Sequence, residues 1–349
     1  MNKNESPNKT VVRPDIRCSF CIFTYNQERY IEATMKSALA QTYDKEMEII
    51  ISDDCSNDGT FEVVRRIAAD YKGTKTIVLN RNEKNMGIAG NVNKCFELAR
   101  GEWLVMSGGD DISKPERVAT LMCAVEKDAK LRAICSEVDF IDEDGAVLKD
   151  RRQTKRNQRN RNYYFNRYFN EATFAQIIRV YDLNYFGLLL GAASAWHRDV
   201  FHKWGALPSD LAWEDVVLSC RARMLGKVVF LPVPLLFYRK YWKARAVSKK
   251  DPEKCKLNYA RNARFLDVCA DEIGGGDRRA AKNLRKTARL FRSLANWEKI
   301  SFGDKIKTIF YYGRHHWRKL FVASIPFKLK MIYAALTDKI SRKKRIEIS

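Results

Sequence analysis

From residue 17 onward, short apolar runs alternate with segments whose apolar residues recur at helical spacing. The runs CSFCIFT, MEIIIS, KTIVLN, EWLVMS and RAICSEVDFI read as strands, the last ended by the turn DEDG. Between them, ERYIEATMKSALAQ places Ile31, Met35 and Leu39 on one helical stripe. TFEVVRRIAADY does the same with Phe61, Val64, Ala68 and Tyr71, and IAGNVNKCFELA with Ile88, Val92, Phe96 and Ala99. A further helix is expected after EWLVMS, with Ser113 as N-cap, Pro115 in its first turn and Glu116 closing a capping box. Strands alternating with helices of this length predict βαβ units and a mostly parallel sheet of the α/β class. In such a sheet, ligands bind beyond the carboxyl ends of the strands.

Two strands deliver a doubled carboxylate to that end. Asp53 and Asp54 follow MEIIIS, and Asp110 and Asp111 follow EWLVMS and two glycines. Adjacent carboxylates repel each other, so both pairs are expected to face one shared crevice where something offsets their charge. Gly108 and Gly109 permit a tight turn and close ligand approach. Asp110 and Asp111 then offer hard oxygen ligands to Mg²⁺ or Mn²⁺, which can hold a diphosphate as well. The plainer alternative is a solvated turn or a helix cap. The first pair suits hydrogen bonds from an imide N–H or a ribose hydroxyl, although CSNDGT is also ordinary turn sequence. A third acidic pair, Glu214–Asp215, opens a helix that starts near Trp213. Acids there suit the helix dipole, or supply a general base to a hydroxyl nucleophile.

The remaining segments are less regular. Residues 151–170 hold seven Arg or Lys and no acid, and read as a long loop or insertion. KVVFLPVPLLFYRKY is strand-like and broken by Pro232 and Pro234, and beyond about 250 the chain reads as basic and helical. The apolar fraction of 46% excludes wholesale disorder, and the net charge of +22 implies an anionic partner. Nine scattered cysteines show no pairing framework and favour a reducing compartment. CSFC, Cys18 to Cys21, lacks a second CxxC and lies in a strand, so it is not read as a zinc site. His197, His202, His315 and His316 lack metal-ligand spacing and are read as packing or surface residues. The polar start lacks a signal core, and no run of about eighteen apolar residues predicts a transmembrane helix.

Three stretches, FTYNQERYIEATMKSALAQTYDKEMEIIISDDCSNDGT, NMGIAGNVNKCFELARGEWLVMSGGDD and WEDVVLSCRARMLG, together resemble the family 2 glycosyltransferases. The resemblance covers roughly residues 15–245 and implies the GT-A fold and a nucleotide-sugar donor, UDP foremost. It implies that Thr24, Tyr25 and Asn26 lie near the nucleobase, that Asp54 binds the base with Asp53 beside it, and that Asn91 lies near the nucleotide. It further implies that Asp110 and Asp111 form the metal and nucleotide motif, with Asp111 the direct ligand of Mn²⁺ or Mg²⁺. Asp215 is then the catalytic base of an inverting transfer, with Glu214 as its substitute. Two departures stand out. No acid lies two places before Asp111, and YRKYW puts Tyr241 where many members carry a histidine.

The organisation expected is a flexible start at 1–15, a catalytic domain at 16–250 and a basic helical region at 251–349. Within the catalytic domain, 16–145 form a nucleotide-binding half and 146–250 an acceptor half. In the tail, Ile306, Ile309, Phe310, Trp317, Leu320 and Phe321 alternate with cations, as in helices lying on an anionic bilayer. The resulting expectation is a cytoplasmic enzyme peripheral to the inner membrane. Its acceptor would be a polyprenyl-diphosphate-linked glycan of a surface polysaccharide, with the basic loop 151–170 near that diphosphate. A competing reading is a nucleic-acid-binding protein, since RNRNYYFNRYF interleaves cations with aromatics. The acid-lined crevice and the lack of a helix-turn-helix, zinc-finger or RNP signature argue against it, so nucleic acid is not an expected partner. A non-catalytic nucleotide-binding relative is opposed by the intact set of Asp54, Asp111 and Asp215.

Overall fold

A computed structural model describes residues 17–148, 189–211, 214–241, 252–274, 278–296 and 299. These fall into two compact units, one within 17–241 and one within 252–299. The basic segment 151–170, the aromatic tail beyond 300, Trp213, His315 and His316 lie outside the described residues.

In the first unit the expected alternation is present. Strand β1 (Cys18–Thr24) is followed by helix α1 (Glu28–Leu39), β2 (Met47–Asp53), α2 (Thr60–Asp70), β3 (Thr76–Arg81), α3 (Gly87–Leu98) and β4 (Trp103–Gly108). Then come β5 (Ile112–Ser113), α4 (Arg117–Glu126), β6 (Leu131–Ile141), a 3-10 turn (Gly191–Ala193) and β7 (Ser194–His197). The unit closes with α5 (Asp199–His202), α6 (Glu214–Leu225) and β8 (Lys227–Arg239).

The strands form one eight-stranded sheet in the order β3-β2-β1-β4-β7-β6-β8-β5. The β3-β2-β1-β4 part is parallel throughout. β2 and β4 are buried along their whole length, which explains why both read as unbroken apolar runs rather than as alternating ones. β7 runs antiparallel to both β4 and β6, while β6 and β8 pair in parallel, so the sheet as a whole is mixed. One core cluster joins Phe20 and Ile22 of β1, Ile49 and Ile51 of β2 and Val105 of β4 to Ile31 and Met35 of α1 and Val118, Leu121 and Met122 of α4.

Two local expectations are corrected. Ser113 does not cap α4. It lies in β5, paired with Leu236, and the helix begins only at Arg117, with Glu116 at the N-cap and no side-chain cap. β8 is not broken by its prolines. It pairs with β6 on both sides of them, and the register jumps from Ser136↔Leu231 to Glu137↔Pro234. Pro232 and Val233 are looped out of the ladder, so Pro232 takes no place where the ladder needs an N–H.

Arg117 is fully buried although it opens the apolar stripe of α4. Its guanidinium donates to Ser113 Oγ (2.9 Å), the Met106 carbonyl (2.7 Å) and the Ala192 carbonyl (2.7 Å). It thereby ties together β4, β5 and the turn before β7.

In the second unit, α7 (Pro252–Ile273) and α8 (Arg278–Ala295) pair with each other. Ala263, Leu266, Cys269, Ala270 and Ile273 are buried on α7, as are Ala281, Leu284, Ala288 and Phe291 on α8. The ion pairs Asp271–Arg285 and Asp267–Arg292 run in opposite order along the two helices, which makes the pair antiparallel.

Arg117→Met should lower the stability of the first unit by about 3–5 kcal/mol, because it removes a buried cation and strands its acceptors. Arg117→Lys, which keeps the charge, should lose less. Urea unfolding followed by tryptophan fluorescence checks both; a Met variant as stable as wild type would contradict this role.

Candidate functional site

The strand order reverses direction between β1 and β4, because the chain runs outward through β2 and β3 and then returns to the other side of β1. A crevice opens at such a point beyond the carboxyl ends of the strands. Here it is a cleft of about 540 Å³, in the size range of small-molecule sites. Thr24 and Tyr25 line it from the end of β1, Asp54 from β2, and Gly108, Asp110 and Asp111 from β4. Asn91 of α3, Gly191 and the α6 residues Glu214 and Asp215 complete the wall.

Not every expected residue reaches it. Asp53 and Asp54 are both buried, yet only Asp54 lines the cleft. Asp53 closes its own turn, accepting from the Ser56 N–H (3.0 Å) and the Ser56 hydroxyl, with Arg81 Nε at 3.5 Å. The shared crevice therefore takes one carboxylate of this pair. Asn26 also turns away from the wall. It adopts a left-handed φ of 52°, which asparagine tolerates, and its side chain accepts from the Asn57 N–H (2.8 Å). With Asn26 N–H donating to Ser56 Oγ (2.9 Å) and Gln27 N–H to Thr60 Oγ1 (2.8 Å), the loops after β1 and β2 are zipped together.

Asp54 is held in place from behind. Its Oδ1 accepts from Asn82 Nδ2 (2.9 Å) and from the Met86 N–H (2.8 Å). Asn91 is buried beside it, accepting from the Ser52 hydroxyl (2.6 Å) and donating to the Ser52 carbonyl (2.9 Å). These amides fill the space beneath the cleft floor with satisfied polar groups, as burial of polar side chains requires.

The Asp110–Asp111 pair sits on a turn that only glycine can make so closely. A Cβ on Gly109 would lie 2.4 Å from Gln27 Oε1 and 2.5 Å from Thr24 Oγ1. A Cβ on Gly108 would lie 2.9 Å from Asp110 Oδ1 and 3.2 Å from Asp111 Oδ2. The second observation shows that one oxygen of each carboxylate lies close against Gly108. Burial and the neighbouring Asp110 charge push the Asp111 carboxyl well above its ordinary range. Asp110 and Asp111 are the hard oxygen donors that a divalent cation takes, and such an ion would offset that cost. Tyr241, the residue at the histidine position, donates its hydroxyl to Asp110 Oδ2 (2.7 Å).

Across the cleft, Asp215 Oδ2 accepts from the Gly191 N–H (3.3 Å). Burial raises the Asp215 carboxyl to about 6. It raises Glu214 further, to about 8, and the adjacent Asp215 charge adds to the effect. A carboxyl near 6 is a competent base at neutral pH, being both ionised and basic enough to take a proton. His197 and His202 stand apart from this wall; His197 meets Glu102 (3.2 Å) and Asp199 (3.1 Å).

Sequence reasoning missed Gln27, Asn82, Arg117 and Arg239. Arg117 alone carries a readable signal, a cation on an otherwise apolar helical stripe. The others act through contacts between segments far apart in the chain, and Gln27 through the close approach of Gly109.

A 3-2-1-4 parallel half continued by a mixed half, with acids at the carboxyl edge, defines the GT-A class of nucleotide-diphospho-sugar transferase folds. Solved structures agree. A Staphylococcus aureus TarS fragment bound to UDP-GlcNAc superposes with a TM-score of 0.54 at 16% identity, over 90% of this chain and 82% of that one. The Pyrobaculum calidifontis mannosyltransferase PcManGT, solved with GDP-Man and Mn²⁺, gives 0.51 at 17% identity, over 91% and 83%. Residues 19–187 match the profile described as glycosyl transferase family 2, so this segment is similar to that family. Among curated relatives, the putative glycosyltransferase EpsE of Bacillus subtilis is 33% identical over 35% of this chain and 42% of its own length. The abequosyltransferase RfbV of Salmonella typhimurium is 32% identical over 32% and 34%. The chain thus spans less than half the length of these relatives.

A carboxyl whose folded-state pKa lies above its unfolded value favours folding while protonated. For Glu214 that contribution is full below about 4.5 and is lost as pH rises through about 8. Glu214→Gln should therefore gain melting temperature over wild type progressively from about pH 5 to pH 8, then level off. Thermal melts across this range check it; a pH-independent difference would mean the carboxyl titrates normally.

Proposed function

We propose that the cleft binds a nucleotide-diphosphate sugar, UDP-linked foremost, and transfers the sugar with inversion to a hydroxyl of a glycan acceptor. The observation that carries this is the convergence of Asp54, the Asp110–Asp111 cradle and the raised carboxyl of Asp215 on one cleft. The complexes of TarS with UDP-GlcNAc and of PcManGT with GDP-Man support a nucleotide-sugar donor.

In this reading, Asp54 accepts hydrogen bonds from the nucleoside, with Thr24 and Tyr25 beside it and Asn91 beneath. Asp215 takes the proton from the acceptor hydroxyl as its oxygen bonds to the anomeric carbon. The bond from that carbon to the donor diphosphate breaks on the opposite face, and the nucleoside diphosphate leaves with the electron pair. Asp111 and Asp110 would hold Mn²⁺ or Mg²⁺, which as a Lewis acid offsets the charge on the leaving diphosphate. Glu214, raised to about 8, is largely protonated at neutral pH and so leaves the base role to its neighbour.

The relatives EpsE and RfbV support a glycosyltransferase of surface-polysaccharide type. The acceptor proposed for it is a polyprenyl-diphosphate-linked glycan. The net charge of +22 supports attachment to an anionic membrane face from the cytoplasm. No helix among the described residues is long and apolar enough to cross a membrane.

Asp215→Asn should keep UDP affinity but lose about a hundredfold or more in turnover, the effect of removing a general base. The wild-type rate should rise with pH through about 6 and level above it, because the base acts only when ionised. Asp111→Ala should instead weaken UDP binding, and only when Mn²⁺ is present. Steady-state kinetics on a panel of nucleotide sugars, with calorimetry in Mn²⁺ and in EDTA, separate these outcomes. An Asn variant with normal turnover would remove Asp215 as the base.

A further inference from the structure

The end of β8 touches the Asp110–Asp111 pair three times. The Arg239 N–H donates to Asp111 Oδ1 (2.9 Å), Arg239 Nε to the Asp110 carbonyl (2.9 Å), and the Tyr241 hydroxyl to Asp110 Oδ2 (2.7 Å). Arg239 is itself anchored. Its Nη1 donates to the Asp142 carbonyl (2.7 Å) and the Glu143 carbonyl (3.1 Å), and its guanidinium lies 4.3 Å from the centre of the Tyr30 ring. Tyr30 in turn meets the Tyr241 ring edge-on at 6.1 Å. The clamp is therefore built on a fixed base rather than on a single surface side chain.

A carboxylate has two oxygens, and the clamp engages one on each residue. The other two, Asp110 Oδ1 and Asp111 Oδ2, lie 2.9 Å and 3.2 Å from where a Cβ on Gly108 would stand. Asp111 is fixed there by a backbone donor. Asp110 is fixed by the Tyr241 hydroxyl.

We propose that Tyr241 is a positioning residue: its hydroxyl sets the rotation of the Asp110 carboxylate, so that Asp110 Oδ1 stands beside Asp111 Oδ2 and the pair binds a divalent cation together with a nucleoside diphosphate. This rests on the reading of the cleft given above. Partners that orient a metal-binding side chain typically contribute about ten- to a hundredfold in metal affinity. A phenol suits the task because its hydroxyl donates to the carboxylate. If the ring served only for packing against Tyr30, phenylalanine would replace it without loss.

The test titrates Mn²⁺ into the full-length chain at saturating UDP, with free Mn²⁺ read from its EPR signal. Tyr241→Phe should weaken Mn²⁺ binding about tenfold, while melting temperature and UDP affinity in EDTA stay at wild-type values. Tyr30→Phe, which alters the neighbouring ring but not the clamp, should leave Mn²⁺ binding unchanged. In an Asp110→Asn background, Tyr241→Phe should have no further effect. Unchanged or tighter Mn²⁺ binding by Tyr241→Phe overturns the inference, as does an equal loss in both backgrounds. A wild-type chain that takes up no Mn²⁺ at saturating UDP overturns the proposed function and this inference together. Normal uptake by wild type with an unaltered Tyr241→Phe overturns this inference alone.

Discussion

The site depends on one buried cation. Burying a guanidinium is costly, and the cost is offset only when its donors find acceptors and its charge finds an opposite one. Arg117 meets these conditions through its two Nη groups, while its Nε is buried without a partner. It donates to the carbonyls of Met106 and Ala192 and to Ser113 Oγ, and its charge is felt by Asp111. Burial still lowers its pKa to about 10, so it remains a cation at neutral pH. Met106 lies on the strand that delivers the Asp110–Asp111 pair, and Ala192 lies in the turn whose Gly191 N–H holds Asp215. A single side chain therefore fixes the acidic pair on one wall and the candidate base on the other.

The same economy governs the carboxylates. Four of the five that line the cleft have one oxygen engaged by the protein: Asp54 by Asn82 and Met86, Asp110 by Tyr241, Asp111 by Arg239, Asp215 by Gly191. Burial then raises Asp111, Asp215 and Glu214 above their ordinary values. Such perturbed acids in a cleft are costly to the fold and useful to chemistry, because a bound cation or a proton donor relieves them. Asp53 makes the contrast. It is as buried as Asp54, but its turn contacts engage both oxygens, and it is a structural residue.

The first half of the fold was legible because its signals are local. Buried parallel strands read as apolar runs, and amphipathic helices such as α1 and α2 keep their period along the chain. The carboxyl-edge location of Asp54, Asp110 and Asp111 followed from the alternation of strands and helices, whereas Asp215, at a helix start, was picked out by the family resemblance. What escaped depends on contacts between distant segments. Ser113 has good N-cap chemistry, yet pairing with Leu236 recruits it into β5. Pro232 and Pro234 are strand breakers, yet a register jump against β6 absorbs them. The division of labour between Asp53 and Asp54 is set by Ser56 and Arg81 on one side and Asn82 on the other, which adjacency in sequence does not reveal.

The cleft at the β1–β4 reversal is the proposed seat of a nucleoside diphosphate and a divalent cation. Amide hydrogen exchange on the full-length chain, with and without UDP and Mn²⁺, tests it most directly. Added protection is expected at the end of β1, at the Asp54 and Met86–Asn91 segments and at the Gly108–Asp111 turn, with α7 and α8 unchanged. Protection confined to the basic helices, or none at these strand ends, would contradict it.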